Sequence, residues 1–210
     1  MATTATIPAG LGCPPGRVGC VQARMDLMGA WPVVCYEVDA AEDARRRAAG
    51  GGAVPEQWAA DVLDLLLGLP VGMPVPVGSL TDRERWSLDR CPPWAASVSL
   101  GEVTRWAVPP ATVHLVVVEA GRWRSGLVSA GLFAAFSSRA VLLSRRPRPA
   151  AMVGVLVDAA VYEVGVACPD EDGGVEVLVP PYPWMRMRWT AAGWRFRERA
   201  YQQHLQGGTP

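Results

Sequence analysis

Hydrophobic positions follow two different periods along this chain, and together they predict a mixed α/β fold. Residues 113–119, VHLVVVE, and 140–144, AVLLS, are nearly continuous apolar runs, which is typical of strands buried on both faces. Between them, residues 125–136 place apolar side chains at helical spacing, namely Leu127, Leu132, Phe133 and Phe136. A strand, a helix and a second strand in this order indicate a unit of an α/β sheet.

The first half of the chain predicts shorter elements. Two short runs, within 17–24 and 32–39, have the composition and boundaries of strands. Residues 40–49 favour a helix that the glycines at 50–52 end. A further helix begins at Pro55 and repeats apolar residues on one face: Trp58, Val62, Leu65, Leu66 and Leu69. The sequence T-D-R-E from Thr81 is a capping box and predicts another helix start.

The last third of the chain predicts a β-hairpin and a C-terminal helix. Residues 149–160 favour a helix, although their valines also allow a strand. Two strands near 162–179 flank the turn sequence PDEDGG, and a helix follows over about 190–205. We therefore expect one mixed sheet with flanking helices, in a single domain over 17–206. A flexible lead-in, 1–16, and a flexible tail, 207–210, would lie at its ends.

Composition limits the chemistry that this chain can perform. All 20 basic residues among the 210 are arginine, and neither Lys nor Asn occurs. The bias towards residues with GC-rich codons indicates a GC-rich bacterial genome, so abundant arginine is not by itself a sign of nucleic-acid binding. Without lysine there is no P-loop lysine or Schiff base, and His114 and His204 are the only imidazoles. We predict no catalytic residue, no metal site and no cofactor, and favour a non-enzymatic role.

Cysteine usage and hydropathy bear on the compartment. Five cysteines, an odd number, argue against a complete disulfide framework, and we expect reduced thiols. The first residues lack the basic and apolar regions of a signal peptide. The most apolar stretch, 150–168, is interrupted by Asp158 and Glu163 and does not resemble a membrane span. We expect a cytoplasmic protein without a membrane partner. Either carboxylate would act as an acid or base if buried, and would only be solvated at the edge of an element.

The loop that follows strand 113–119 is a candidate anion site. A loop from a strand into a helix N-terminus presents free backbone N–H groups and a partial positive charge. Here it carries two arginines suited to phosphate or carboxylate, and its residues are Gly121, Arg122, Arg124, Ser125 and Gly126. The glycine spacing resembles a P-loop, but the lysine is missing. The alternative is an ordinary surface turn with Ser125 as the helix N-cap.

Arginines and aromatic residues alternate near the C-terminus, in YPWMRMRWTAAGWRFRER. Arginine contacts phosphate and aromatic rings stack on bases in grooves that bind single-stranded nucleic acid. The candidate partner-binding residues are Trp184, Arg186, Arg188, Arg195 and Arg199. The alternative is a docked C-terminal helix in which the arginine stems lie over rings.

These two candidate sites lead to two functional hypotheses. The first is a non-catalytic binding or regulatory protein whose C-terminal region engages single-stranded nucleic acid or a protein partner. The second is a small enzyme that acts on a phosphorylated or carboxylated small molecule at the 121–126 loop.

Overall fold

The computed structural model describes residues 7–8, 11, 20–185 and 187–207, and these residues form a mixed α/β fold. Contacts within them group into two compact units, each built from two segments of the chain. Unit 1 contains the described residues up to Glu37 and those from 113 to 185, and unit 2 contains Val38–Thr112 and 187–207. The single domain predicted over 17–206 stays a prediction.

Unit 1 is built on a six-stranded mixed sheet with the order β1-β2-β6-β7-β8-β9. Its strands are β1 Val21–Arg24, β2 Val33–Val38, β6 Ala111–Ala120, β7 Ser138–Leu143, β8 Gly165–Pro169 and β9 Val175–Val179. The last residue of β2 and the first two residues of β6 fall within the range of unit 2. The central strands β6, β7 and β8 are parallel, and Ala120 pairs with Leu143 at their carboxyl ends. The outer strands β1 and β9 pair antiparallel with β2 and β8, so the mixed sheet and the hairpin are both confirmed.

Two helices connect the parallel strands of unit 1. Helix α4, Trp123–Gly131, joins β6 to β7, and helix α5, Pro149–Val161, joins β7 to β8. Two successive right-handed crossovers in one direction place both helices on the same face of the sheet. The segment from 149 is a helix and not a strand. Its proline stands at the first helical position, where the missing N–H costs nothing.

Unit 2 contains four helices and a small antiparallel sheet among its described residues. The helices are α1 Ala40–Ala48, α2 Ala59–Gly68, α3 Asp82–Leu88 and α6 Ala191–Gly207. The sheet has the order β3-β5-β4, with β3 Pro74–Pro76, β4 Ala96–Ser99 and β5 Glu102–Arg105. The sequence analysis missed all three strands. The helices at 40 and 81 and the C-terminal helix were predicted, and Thr81 and Glu84 form the expected capping box.

Helix α2 lies at the centre of the unit 2 core, where Leu63 and Leu66 are inaccessible to solvent. They pack in one cluster with Val103 of β5 and Trp194 of α6. The predicted start of this helix is partly wrong. Residues Glu56–Trp58 form a short 3-10 turn before α2, and Trp58 is exposed rather than buried.

A buried arginine ties the elements of unit 2 together. Arg46 of α1 is fully buried and forms a bidentate ion pair with Glu198 of α6, with both N–O distances 2.8 Å. Its Nε donates to Glu42 at 2.6 Å, and its two remaining N–H groups donate to the carbonyls of Gly52 and Val108. Burial opposes the charge, but the hydrogen bonds and charges of Glu198 and Glu42 outweigh it and raise the pKa of Arg46.

The core of unit 1 includes two residues of the predicted lead-in. Ile7 and Leu11 are buried beside Val33 and Cys35, which was not expected of a flexible segment. The rest of 1–16, and 208–210 of the predicted tail, lie outside the described residues. The sulfur atoms of Cys20 and Cys35 lie 2.8 Å apart, a pairing that the expectation of five reduced thiols did not anticipate.

Within 7–8, 11, 20–185 and 187–207, no helix is both long enough and apolar enough to cross a membrane.

We expect Leu66→Ala to lower the free energy of unfolding by about 2–5 kcal/mol, because it leaves a cavity in a fully packed core. Leu100→Ala is the control, since Leu100 is fully exposed in the same unit; its effect should stay within about 0.5 kcal/mol. Urea denaturation of both variants measures the difference. Equal effects would place α2 outside the core.

Arg46→Met should lower the free energy of unfolding by about 3–5 kcal/mol, because it leaves the buried carboxylate of Glu198 without its counter-charge, whereas Glu42 keeps its ion pair with Arg45. The matched control is Arg47→Met on the next residue of α1. Arg47 pairs with Asp43, but its side chain is 63% exposed, so we expect a loss below about 1 kcal/mol. Thermal unfolding of both variants gives the comparison. A stability of Arg46→Met near that of Arg47→Met would show that the buried cluster contributes no net stability.

Candidate functional site

The carboxyl ends of β6 and β7 lie side by side, and each strand leads directly into a helix of unit 1. The parallel register brings Ala120 next to Leu143, and the Ser144 N–H donates to the Ala120 carbonyl at 3.0 Å. The N-termini of α4 and α5 therefore open at one edge of the sheet. In open α/β sheets, the carboxyl edge of the strands is where ligands bind.

Both of these helix N-termini lack a side-chain cap. The N-cap residues are Arg122 for α4 and Arg148 for α5, each with an extended backbone and no capping hydrogen bond from its own side chain. The first N–H groups of a helix have no partner within the helix, and they attract negative charge. Two such termini therefore present donors and partial positive charge at the same edge.

A cleft of about 510 Å³ lies at this edge, and we call it the arginine cleft. Its volume falls in the range of small-molecule sites. The lining residues come from the two loops and from the starts of the two helices: Gly121, Arg122, Trp123, Leu143, Arg145, Arg146, Pro147, Arg148, Ala151 and Val155. The cleft thus collects four arginines from two separate parts of the chain.

Among the described residues, one of the four arginines of the cleft is paired with a carboxylate. Arg146 forms an ion pair with Glu176 of β9, and the hydrogen bond and charge of Glu176 raise the pKa of Arg146. Among the described residues, the side chains of Arg122, Arg145 and Arg148 make no hydrogen bond or ion pair. Three exposed guanidinium groups around one cleft form a concentration of positive charge that suits an anion.

A second concavity of about 410 Å³ continues from the arginine cleft between α4 and α5, and we call it the apolar groove. It shares Arg122, Trp123, Ala151 and Val155 with the cleft, and it adds Arg124, Ala150, Gly154 and Asp158. The indole N–H of Trp123 donates to Asp158 at 3.0 Å and holds the ring between the two helices.

The residues of the predicted anion loop differ in where the structure places them, and their binding of an anion stays a prediction. Gly121 and Arg122 line the arginine cleft, and Arg124 lines the apolar groove. Ser125 is not the N-cap, because α4 begins two residues earlier, and its hydroxyl donates to the Arg122 carbonyl. Gly126 serves packing, since a Cβ there would lie 2.5 Å from Cγ1 of Val141.

The sequence analysis missed the second half of the cleft, which is Arg145, Arg146 and Arg148. A usable signal existed in the run SRRPRP, which follows the buried strand at 140–144 as the first loop follows 113–119. Loops after neighbouring parallel strands meet at one edge, so these two basic loops were candidates for one site. Of the two carboxylates considered, Asp158 lines the groove, whereas Glu163 is exposed at the turn after α5.

The C-terminal candidate residues are not brought together into one site within a single unit. Trp184 belongs to unit 1 and is half-buried, with its backbone N–H bound to the Ser138 hydroxyl. Arg188 is exposed in unit 2, and Arg186 lies outside the described residues. The expectation that this region binds nucleic acid or protein stays a prediction.

Helix α6 uses much of its arginine and aromatic content for its own packing. Arg195 and Arg199 both pair with Glu56, the latter at 2.7 Å. Partial burial opposes ionisation of this carboxyl, but the hydrogen bonds from the two arginines outweigh it and lower the pKa of Glu56. Trp194 is fully buried and donates to Glu198 at 2.8 Å. Both arrangements are those of a docked helix, the alternative that the sequence analysis left open.

Comparison with known proteins adds nothing to this geometry: no family model matches the chain, and no curated protein or solved structure is significantly similar to it. Metal binding finds no support in the part of the chain that the structure describes, where no three His, Cys, Asp or Glu side chains converge as ligands. Function has to be argued from the arginine cleft itself.

Proposed function

We propose that this protein binds a small molecule bearing a phosphate or carboxylate group in the arginine cleft, and that it does so without catalysing a reaction. The observation that carries the proposal is the meeting of two uncapped helix N-termini with four arginines at the carboxyl edge of β6 and β7. This site is the one that the sequence analysis placed second, and the non-catalytic class is the one that it placed first.

The physical argument rests on charge and geometry. A guanidinium group donates two parallel hydrogen bonds that match the oxygens of a phosphate or carboxylate. Backbone N–H groups at a helix N-terminus supply further donors, and they are aligned without any rearrangement. Arg122, Arg145 and Arg148 repel one another when the cleft is empty, so a bound anion removes an unfavourable interaction as well as forming favourable ones.

The side chains around the cleft favour binding over catalysis. Arginine has no acceptor and does not deprotonate in proteins, so it stabilises charge but serves neither as a base nor as a nucleophile. Among the described lining residues of the cleft and the groove, Asp158 is the one carboxylate, and it accepts a hydrogen bond from Trp123. The same residues include no His, Cys or Tyr. A sensor, carrier or regulatory role suits this set of groups.

Titration calorimetry with inorganic phosphate at low ionic strength tests the proposal. We expect Arg148→Gln and Arg145→Gln each to raise the Kd for phosphate about 10-fold or more, because each removes a charge-assisted hydrogen bond worth about 1.5–3 kcal/mol. Added sodium chloride should weaken binding by the wild type, since the arginines are exposed and screened by salt.

Arg188→Gln is the matched control. It removes the same charge from an exposed arginine in unit 2, and it should leave the Kd for phosphate unchanged. A wild-type protein that takes up no phosphate would overturn the proposal. An equal weakening by Arg188→Gln would also overturn it, because binding would then reflect general positive charge or the C-terminal region.

A further inference from the structure

The apolar groove continues directly from the arginine cleft, and this continuity bears on the ligand. The two concavities share Arg122, Trp123, Ala151 and Val155. An anion held at the helix N-termini would therefore lie at the open end of a passage between α4 and α5. We infer that the ligand is an amphiphilic anion, with its phosphate or carboxylate in the arginine cleft and an apolar chain or ring in the apolar groove. This inference rests on the function proposed above.

The walls of the groove are small and apolar along one side. Ala150, Ala151, Gly154 and Val155 come from the first two turns of α5, and Asp158 lies one turn further. From 150 to 158 the helix advances about 12 Å at about 1.5 Å per residue. That length accommodates a short alkyl chain or an aromatic ring behind the charged group.

The opposite wall is the indole of Trp123 at the first position of α4. Its N–H donates to Asp158 at 3.0 Å, so the ring is held by a partner on α5. This hydrogen bond satisfies the one polar group of the indole, which leaves the faces of the ring for apolar contact. A fixed aromatic wall opposite small residues is a common way to bind an apolar group.

Gly154 marks open space beside the groove. A Cβ built at this position meets no atom within 4 Å, although the residue lies inside a helix. Alanine is more stable than glycine at a helical position, so local helix stability does not require this glycine. Gly154 therefore leaves room for a side chain at a position that lines the groove.

The charged residues that line the groove are Arg122 and Arg124, near the N-terminus of α4, and Asp158 of α5. Residues 125–138 of the α4 region contain no charged residue, and Asp158 is the one charge within α5. An apolar group that lies against Ala151, Gly154 and Val155 would displace water from apolar surface. The gradient from charged to apolar matches a ligand with one charged end.

Two phosphate monoesters with the same charged group test the inference. Methyl phosphate and hexyl phosphate differ by five methylene groups, and each buried methylene is worth about 4-fold in Kd. With two or three of them buried, hexyl phosphate should bind about 30-fold more tightly than methyl phosphate. Calorimetric titration of the full chain measures both constants at concentrations where hexyl phosphate is monomeric.

Gly154→Leu fills the groove and should remove the preference for hexyl phosphate while leaving the Kd for methyl phosphate unchanged. The matched control is Gly131→Leu. Gly131 is also a helical glycine with no atom within 4 Å of a built Cβ, but it stands at the end of α4 and does not line the groove. This control should keep the full preference. Loss of the preference in both variants would overturn the inference.

The remaining outcomes separate this inference from the proposed function. If methyl and hexyl phosphate bind with equal affinity, and both depend on Arg148, the anion site stands and the apolar part of the inference falls. If neither ligand binds, both fall. If hexyl phosphate binds with no dependence on Arg148, the groove binds apolar groups alone, and both claims about the charged group fail.

A lipid in a bilayer presents the same chemistry as a free ester, so its contribution has to be measured. The protein should not sediment with vesicles of phosphatidylcholine that contain phosphatidic acid. A groove between two helices admits a separate molecule and does not fit the flat surface of a bilayer. Sedimentation that is lost in Arg148→Gln would overturn the assignment to a free small molecule in favour of a membrane lipid.

Discussion

Parallel pairing of β6 with β7 is the constraint on which the arginine cleft depends. The register that pairs Ala120 with Leu143 ends both strands at the same level, and each strand is followed by a loop and a helix. Because backbone hydrogen bonds fix this register, the N-termini of α4 and α5 open together. Arg122 and Arg148 stand at these openings as N-cap residues. Their backbone is extended and their side chains cap nothing, so the charge is directed to the cleft rather than used within the helix.

Unit 2 depends on a different interaction, the burial of Arg46 between Glu42 and Glu198. Every N–H of this guanidinium has an acceptor, and its Cζ atom lies over the rings of Trp94 and Tyr201, at 4.6 and 5.2 Å from their centroids. A buried charge requires such complete pairing because its desolvation is costly. The arginines of the cleft differ from Arg46, because they are exposed and three of them have no partner in the described structure.

The sequence predicted the elements with strong periodicity and missed those without it. Residues 113–119 and 140–144 are continuous apolar runs, and both are strands. The strands β3 to β5 have only three or four residues each, and their sequences PVP, ASVS and EVTR contain prolines or polar residues, so they are too short for an alternation to predict a strand. On one side of the cleft, Gly121 and Arg122 were already candidate anion-binding residues from the sequence. The residues on the other side were not, because their proximity arises from strand pairing and not from closeness in the chain. Likewise, nothing near Arg46 in the sequence points to Glu198, which lies 152 residues further along.

Strand pairing positions the loops of the cleft, whereas the loop side chains contact the proposed ligand, and this separation has an evolutionary consequence. The two loops that line the cleft follow adjacent paired strands, about 4.8 Å apart, and their positions are set by this pairing and not by the arginines. Exposed residues such as Arg145 and Arg148 contribute little to the stability of the sheet. Mutations in these loops can therefore alter which anion is recognised while the dimensions of the site persist, and related chains are free to diverge in ligand without a change of architecture.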